Sequence, residues 1–593
     1  MKPTTILKQH FGYESFRQGQ SEVIDAILQN RDALAIMPTG AGKSLCFQVP
    51  ALLMDGITLV ISPLISLMRD QVDALIQTGI PAAFINSSLS STQTYKALSN
   101  AKRGAYKIIY VAPERLEAPS FIDFANNADI AMVAVDEAHC VSHWGQDFRP
   151  SYLQISEFIN NLPKRPILSA FTATATDSVR DDIIKLLKLN EPFICSTGFN
   201  RENLFFEVRQ PKDKFAELVK YLRNNNKKSG IIYCATRKTV DELAHKLKVA
   251  RYHAGMDQAE RDKSQQDFIY DHAPIIVATN AFGMGIDKSN VSFVVHYNMP
   301  KNMESYYQEA GRAGRDGSPA ECVLLFSRQD IMINQFLIEN SDSADDVKAR
   351  DYKRLREMSA YCTTTDCLRQ YILDYFQDNE KPECGHCSNC HTNDELADIT
   401  IEAQKILSCV YRMKGRFGLA MVIDVLKGAQ NKKIKGARLE SLKTFGIMRG
   451  QSPDEIRRIA QFLIQKGYIQ IVGDQYPLVK ITNKASSVLS GDQTVEMPVP
   501  KTAKPVPVPE AKLSHIVDED LFVKLKALRL ELAQEQGVPA FVIFADATLR
   551  DMCAKLPTDD ESFLKVSGVG EVKLEKYGAV FMKEIGEYRA LVK

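Results

Sequence analysis

Ala33-Leu34-Ala35-Ile36-Met37-Pro38-Thr39-Gly40-Ala41-Gly42-Lys43-Ser44-Leu45 is the stretch that decides how this chain is read. Ala33 to Ile36 reads as a buried strand, and Leu45 to Leu53 as the helix that follows it. A glycine turn carrying Lys-Ser between them is a phosphate cradle. The glycines let backbone N–H groups approach a polyphosphate closely. Lys43 can reach the β- and γ-phosphates, and the Ser44 hydroxyl can ligate Mg²⁺. Met37, Pro38, Thr39, Gly40, Ala41, Gly42, Lys43 and Ser44 are therefore candidate nucleotide contacts, although only Gly40 and Gly42 in this turn are glycines.

Outward from this turn, apolar runs alternate with amphipathic segments from about 31 to 197. Ile57 to Ile61, Lys107 to Val111, Ala131 to Val135 and Ile167 to Phe171 read as strands of a parallel sheet wrapped by helices. Ligands in such folds sit at the carboxyl ends of the strands. The run ending at Val135 continues into Asp136-Glu137-Ala138-His139. Asp136 is expected to hold Mg²⁺, directly or through water, and Glu137 to orient the water that attacks the γ-phosphate. Upstream, Gln20 is the candidate reader of an adenine edge, with Tyr13 and Arg17 as stacking partners.

A second α/β pattern runs from about 200 to 328, with strands at Gly230 to Cys234, Ile275 to Ala278 and Phe293 to His296. Near its end Arg312 and Arg315 are expected on one helix face. There they would reach across a cleft as arginine fingers supplied in cis. Ala281 to Asp287 reads as a glycine-flexible loop suited to coupling.

The chain has 593 residues, too many for one core, and an ordinary globular composition. No apolar run is long enough to span a bilayer, and Met1 to Thr5 lacks a signal peptide's apolar stretch, so a cytoplasmic location is expected. The 12 cysteines are then thiols or metal ligands rather than disulfides. With a net charge of +1, nucleic-acid contact has to come from local patches. One such patch lies between Tyr411 and Leu439, where Arg412, Lys414, Arg416, Lys427, Lys432, Lys433, Lys435 and Arg438 face a single acid, Asp424. Cys384, Cys387 and Cys390 stand at zinc-ligand spacing, with Cys362, Cys367, His386 and His391 as possible completions of a closed structural site.

Taken in order, these motifs resemble superfamily 2 helicases, and within them the RecQ family. The match is carried by Phe11-Gly12-Tyr13 with Phe16-Arg17 and Gln20, Met37 to Ser44, Ser62-Pro63-Leu64, Ala112 to Arg115, Asp136 to His139, Phe171 to Thr176, Ala281 to Asp287 and Gln308 to Arg315. Cys140 to Pro150 is similar to the family's aromatic-rich loop, which links DNA binding to ATP hydrolysis. Trp144 and Phe148 offer stacking faces to unpaired bases and Arg149 offers charge. The segment between Leu243 and Tyr252 is shorter than the family usually shows, so the helix is expected to enter the next strand with almost no loop.

The resemblance implies an α/β fold of two RecA-like parallel-sheet lobes, residues 1–200 and 201–335. A helical zinc-binding module follows at 336–400, with Cys367 as the fourth ligand. Next come a winged-helix domain at 401–490, a Pro-rich linker at 491–514 and a small all-helical HRDC-like domain at 515–593. In the last, Val566 to Gly570 is similar to a helix-hairpin-helix turn, and nucleic-acid and protein contact both stay open. Tyr476 is the only aromatic near the tip of the winged-helix hairpin. The implied activity is an ATP-dependent DNA helicase, using ATP with Mg²⁺ and a structural Zn²⁺, translocating 3′ to 5′ in recombination and repair. Implied partners are single-stranded and duplex DNA, with a single-stranded-DNA-binding protein meeting the winged-helix domain; in a bacterium the place of work is the nucleoid. Two rival readings are an RNA helicase with the same motor and a DNA-binding scaffold with a dead one. Intact Lys43, Glu137 and Arg315 argue against the second.

Overall fold

The computed structural model describes residues 2–145, 147–226, 228–282, 288–378, 380, 384–391, 395–473, 477–499 and 518–592. In the first lobe β1 (Ala33–Ile36), β2 (Ile57–Ile61), β3 (Ala82–Ile85), β4 (Ile108–Val111), β5 (Ile130–Val135), β6 (Ile167–Thr172) and β7 (Phe193–Ser196) form one sheet in the order β3-β4-β2-β5-β6-β1-β7. Every pairing in it is parallel. β1, β2 and β4 are buried at each position. This is what helices on both faces require, and it explains why these strands read as unbroken apolar runs. Alternate residues serve opposite cores: Leu34, Ile36, Leu59 and Ile61 on one face, Ala33, Ala35 and Val60 on the other.

The second lobe is a six-stranded parallel sheet of β8 (Leu204–Arg209), β9 (Gly230–Tyr233), β10 (Ala250–Tyr252), β11 (Ile275–Ala278), β12 (Phe293–His296) and β13 (Ala320–Leu325), ordered β10-β11-β9-β12-β13-β8. The shortened segment behaves as expected. The helix Arg237–Leu247 ends on Lys248 at φ +56°, and β10 begins two residues later, at Ala250.

Helices Asp345–Tyr361 and Leu368–Tyr375 pack on the second lobe. Their Leu355, Met358, Tyr361 and Ile372 share a core with Tyr306 and Tyr307. The winged-helix domain has its own core, built on Thr400–Arg412, Leu419–Lys427 and Pro453–Gln465. Its hairpin pairs Ile469–Val472 with Leu478–Ile481. A further separate core, including Leu525, Phe544 and Phe581, holds the C-terminal helical module together.

Two expectations are corrected. The helix before the arginines, Met303–Ala310, stops at Gly311, so Arg312 and Arg315 lie in the turn beyond it rather than on a helix face. Gly314 at φ +57° turns the chain away from helical geometry. The Pro-rich run is not linker from its start. Glu496–Val499 pairs antiparallel with Glu395–Asp398, and Pro498 is tolerated because this is a two-stranded sheet with free edges. The remaining prolines, the end of the Ala281 to Asp287 loop from Gly283, Gln146 and Tyr476 lie outside the described residues.

Candidate functional sites

The carboxyl ends of β1 and β5 and the turn after Met303–Ala310 face one another across a cavity of about 510 Å³. It is lined by Tyr13, Arg17, Gln20, Lys43, Asp136, Glu137, Arg312 and Arg315, among others. Tyr13, Arg17, Gln20, Thr39, Gly40, Gly42, Lys43 and Ser44 are thereby brought to one place with the catalytic candidates of both lobes, whereas Met37, Pro38 and Ala41 do not line the cavity, Met37 because its side chain is buried in the lobe core.

Several of these side chains are held by the protein itself. Lys43 Nζ donates to Met37 O at 3.0 Å. Burial lowers the Lys43 ammonium's affinity for its proton, and Glu137 and Asp136 oppose that shift. Gln20 Oε1 accepts from the Arg17 amide at 2.8 Å, while Gln20 Nε2 donates to Ala41 O and Gly42 O, each at 3.0 Å. The amide expected to read adenine is thus braced against the phosphate loop, and Arg17 Nη1 donates to Gly40 O at 2.5 Å.

Glu137 occupies the left-handed region, φ +47° and ψ +47°. Its own amide donates to Asp136 Oδ1 at 3.0 Å, and Tyr152 donates to the Asp136 carbonyl at 2.9 Å. His139 Nδ1 lies 3.0 Å from Thr172 Oγ1 and 3.4 Å from Glu137 Oε2, and burial favours its neutral form. Thr39 Oγ1, Glu137 Oε2 and Arg312 Nε are buried without hydrogen-bond partners. Orphaned polar groups of both signs around one cavity suit a polyphosphate, its metal and an attacking water. Ser44 and Asp136, both in the lining, suit Mg²⁺.

Arg201 is a functional candidate that sequence reading missed. Its guanidinium donates to Thr39 O in the phosphate loop, and to Ala313 O at 3.2 Å and Gly314 O at 2.9 Å in the arginine turn. It ties the two halves of the cleft with one planar group. Two glycines permit that approach. A Cβ on Gly40, at φ +83°, would stand 3.3 Å from Arg315 Cα, and one on Gly311 would stand 2.7 Å from Thr39 Oγ1.

The C-terminal module contributes part of the wall of this cavity. Phe541, Val542, Thr548, Ser567, Gly568 and Lys573 belong to the same lining. Gly568 N, in the helix-hairpin-helix-like turn, donates to Gly12 O at 3.1 Å, so that amide meets the first lobe. Tyr270 of the second lobe donates to Gly537 O at 3.1 Å. Burial pushes the Asp316 carboxyl up, against the amides of Ser318 and Ala547.

At the zinc module, Cys367, Cys384, Cys387 and Cys390 bring their Sγ atoms within 4.8 Å of one another. Four thiolates at that spread fit a tetrahedral Zn²⁺. Amides support the sulfurs: Gln370 N donates to Cys367 Sγ and His386 N to Cys384 Sγ, each at 3.4 Å. The competing ligands lie outside this cluster. The rings of His386 and His391 pack on Phe205, and Cys362 is buried beside Lys214 and Asp330.

The nucleic-acid candidates are distributed. Lys432, Lys433 and Lys435 are exposed on the short helix Lys432–Gly436 of the winged-helix domain. Trp144 is 49% exposed, too open for a core residue. Phe148 is less available than expected, because His143 stacks on it with centroids 3.8 Å apart. Arg149 pairs with Asp147 at 3.1 Å and donates to Pro63 O at 2.9 Å.

Comparison with known proteins agrees with this arrangement along the chain. The DEAD/DEAH box helicase family matches residues 17–183 and the helicase conserved C-terminal domain 213–317. RecQ zinc-binding matches 328–391, the RQC domain 393–505 and the HRDC domain 518–585. An ATP-dependent DNA helicase RecQ from Bacillus subtilis is 47% identical over 98% of both chains. Proteins of the same name are 38% identical in Pasteurella multocida, over 99% of this chain and 94% of that one, and in Haemophilus influenzae, over 100% and 97%.

Proposed function

The chain belongs to the RecQ family of ATP-dependent DNA helicases, and from that membership we propose that it unwinds duplex DNA by 3′-to-5′ translocation on a single strand, in recombination and repair. The observation that carries the mechanism is the joint lining of one cavity by Lys43, Asp136 and Glu137 from the first lobe and Arg312 and Arg315 from the second. ATP fills this cleft with its phosphates on the turn Thr39 to Ser44, and Tyr13 and Arg17 flank the base. Gln20 reads adenine by exchanging a loop carbonyl for the base edge. Ser44 and Asp136 would hold Mg²⁺, which would supply positive charge to the polyphosphate. Glu137, its carboxylate in the cleft lining beside His139, positions the attacking water. Arg312 and Arg315 stabilise charge on the transferred phosphoryl group, and Arg201 keeps their turn against the phosphate loop.

Loss of the γ-phosphate removes what the arginines hold, and the lobes part. The strand then advances by alternating grips, while Lys432, Lys433 and Lys435 hold duplex phosphates ahead of the motor. Trp144 stacks on an unpaired base and reports it to Glu137. Cys367, Cys384, Cys387 and Cys390 would hold Zn²⁺ as a structural ion, pinning the helix Leu368–Tyr375 to the cysteine loop ahead of the winged helix. A single-stranded-DNA-binding protein meets the winged-helix domain, and the work takes place in the cytoplasm, on the nucleoid in a bacterium. No helix among the described residues is long and apolar enough to cross a membrane.

Unwinding of duplexes with a 3′ or a 5′ single-stranded tail tests the reading. Strand separation that needs ATP and the 3′ tail supports it; ATP-dependent activity on the 5′ tail alone overturns the polarity. Stimulation of ATPase by RNA but not by DNA overturns the substrate.

A further inference from the structure

Trp144 is the one tryptophan of the chain, and a module outside the first lobe holds it. The Arg350 guanidinium lies over its ring, 4.7 Å from the centroid. One turn along the same helix, Asp345–Tyr361, Arg354 Nη2 donates to the Trp144 carbonyl at 2.5 Å. The helix belongs to the segment matched by the zinc-binding family, not to the ATP-binding lobe. On its other side the loop is tied to the first lobe: the Trp144 amide donates to Ser142 Oγ at 3.0 Å, and that hydroxyl donates to Asp182 at 2.6 Å.

Arg354 also faces Glu304, Nε to Oε1 3.6 Å, with both side chains largely buried. Glu304 lies on Met303–Ala310, the helix that runs directly into the arginine turn. Contacts from the Trp144 carbonyl through Arg354 to Glu304 therefore join this loop to the element that presents Arg312 and Arg315. Arg350 Nε is buried without a hydrogen bond, so its position is not explained by a polar partner at that atom. A cation over an indole is attracted by the ring's negative face, and a stacked base needs that same face.

We propose that Arg350 and Arg354 are positioning residues that hold Trp144 in a DNA-free setting, and that a base of single-stranded DNA displaces Arg350 from the indole. This rests on the reading that Trp144 meets DNA. Binding of the strand then frees Arg354 from the Trp144 carbonyl and leaves it to Glu304. Strand occupancy is thereby read by the second lobe as well as by Glu137.

Because Trp144 is the only tryptophan, its emission and its quenching by acrylamide report the surroundings of this residue alone. The experiment compares wild type, Arg350→Lys and Arg350→Ala, each with and without a poly-dT oligonucleotide, alongside DNA-stimulated ATPase. Without DNA, quenching should rise in the order wild type, lysine, alanine. The oligonucleotide concentration for half-maximal stimulation should fall roughly two- to tenfold in the alanine variant, since the strand no longer competes with the cation. The lysine variant keeps a charge over the ring and should lie between, which a loss of fold would not produce. Quenching identical in wild type and Arg350→Ala would overturn the hold on Trp144. A higher half-saturating concentration in Arg350→Ala would overturn the competition and make Arg350 a DNA contact. If the oligonucleotide stimulates wild-type ATPase without changing Trp144 emission, the stacking reading fails and the competition with it, while DNA-free quenching still decides the hold.

Discussion

Glu137 shows how one residue is prepared for its task. A non-glycine residue at φ +47° is costly, on the order of 1–3 kcal/mol, and persists because its surroundings fix it. Here the Asp136 side chain takes the Glu137 amide, and the turn places the Glu137 carboxylate in the cleft lining with its Oε2 beside His139. Replacing it with Gln keeps the shape and removes the charge. Glu137→Gln should bind ATP within a few-fold of wild type and lose DNA-stimulated turnover by about 10² or more, checked by nucleotide titration beside steady-state ATPase. At this scale the sequence was a good guide for Lys43, Asp136 and Glu137, because strand, turn and helix bracket them within a few residues. It was a poor guide for Arg201. That side chain acts on carbonyls at Thr39, Ala313 and Gly314, which no local pattern connects. Gln20 was legible as a cleft residue, but its bracing against Ala41 and Gly42 was not.

The turn after Met303–Ala310 and the zinc loop make the same point for elements. Helical spacing suggested that Arg312 and Arg315 share a helix face, yet Gly311 and Gly314 end the helix and let the turn press on the phosphate loop. Gly311 sits at φ −65°, where any residue fits the backbone, so its constraint is the neighbouring Thr39. Gly311→Ala should keep ATP affinity, which the first lobe supplies, and lower kcat on the order of tenfold to 10² by holding the arginines back. An unchanged kcat would show that the lobes do not need this approach. For the zinc loop, residue type and spacing were enough to find three ligands, and the fold selects the fourth by distance. Cys387→Ala and Cys367→Ala should each lose zinc and melt at lower temperature together, because metal binding contributes directly to folding. Cys362→Ala should keep its zinc, since that thiol is buried away from the cluster. Metal analysis of the three variants separates these outcomes.

Across the whole molecule, alternating apolar runs were enough to recognise two parallel-sheet lobes, and the domain order followed from motif order. How the C-terminal module sits was not legible, because its contacts join Gly12 to Gly568 and Tyr270 to Gly537, hundreds of residues apart. The module forms part of the wall of the nucleotide cavity, so it should slow nucleotide entry. A chain ending at Val499 should bind a fluorescent ATP analogue with a faster association rate than the full chain, and an equal rate would show that the module is not an obstacle. The central claim is that the second lobe completes the catalytic site of the first, so hydrolysis depends on the lobes meeting. Single-turnover hydrolysis of bound ATP in the presence of saturating single-stranded DNA measures this directly for Arg315→Ala. The account predicts ATP binding close to wild type and a hydrolysis rate lower by about 10³ or more, the scale of a lost arginine finger. A rate within a few-fold of wild type would contradict it.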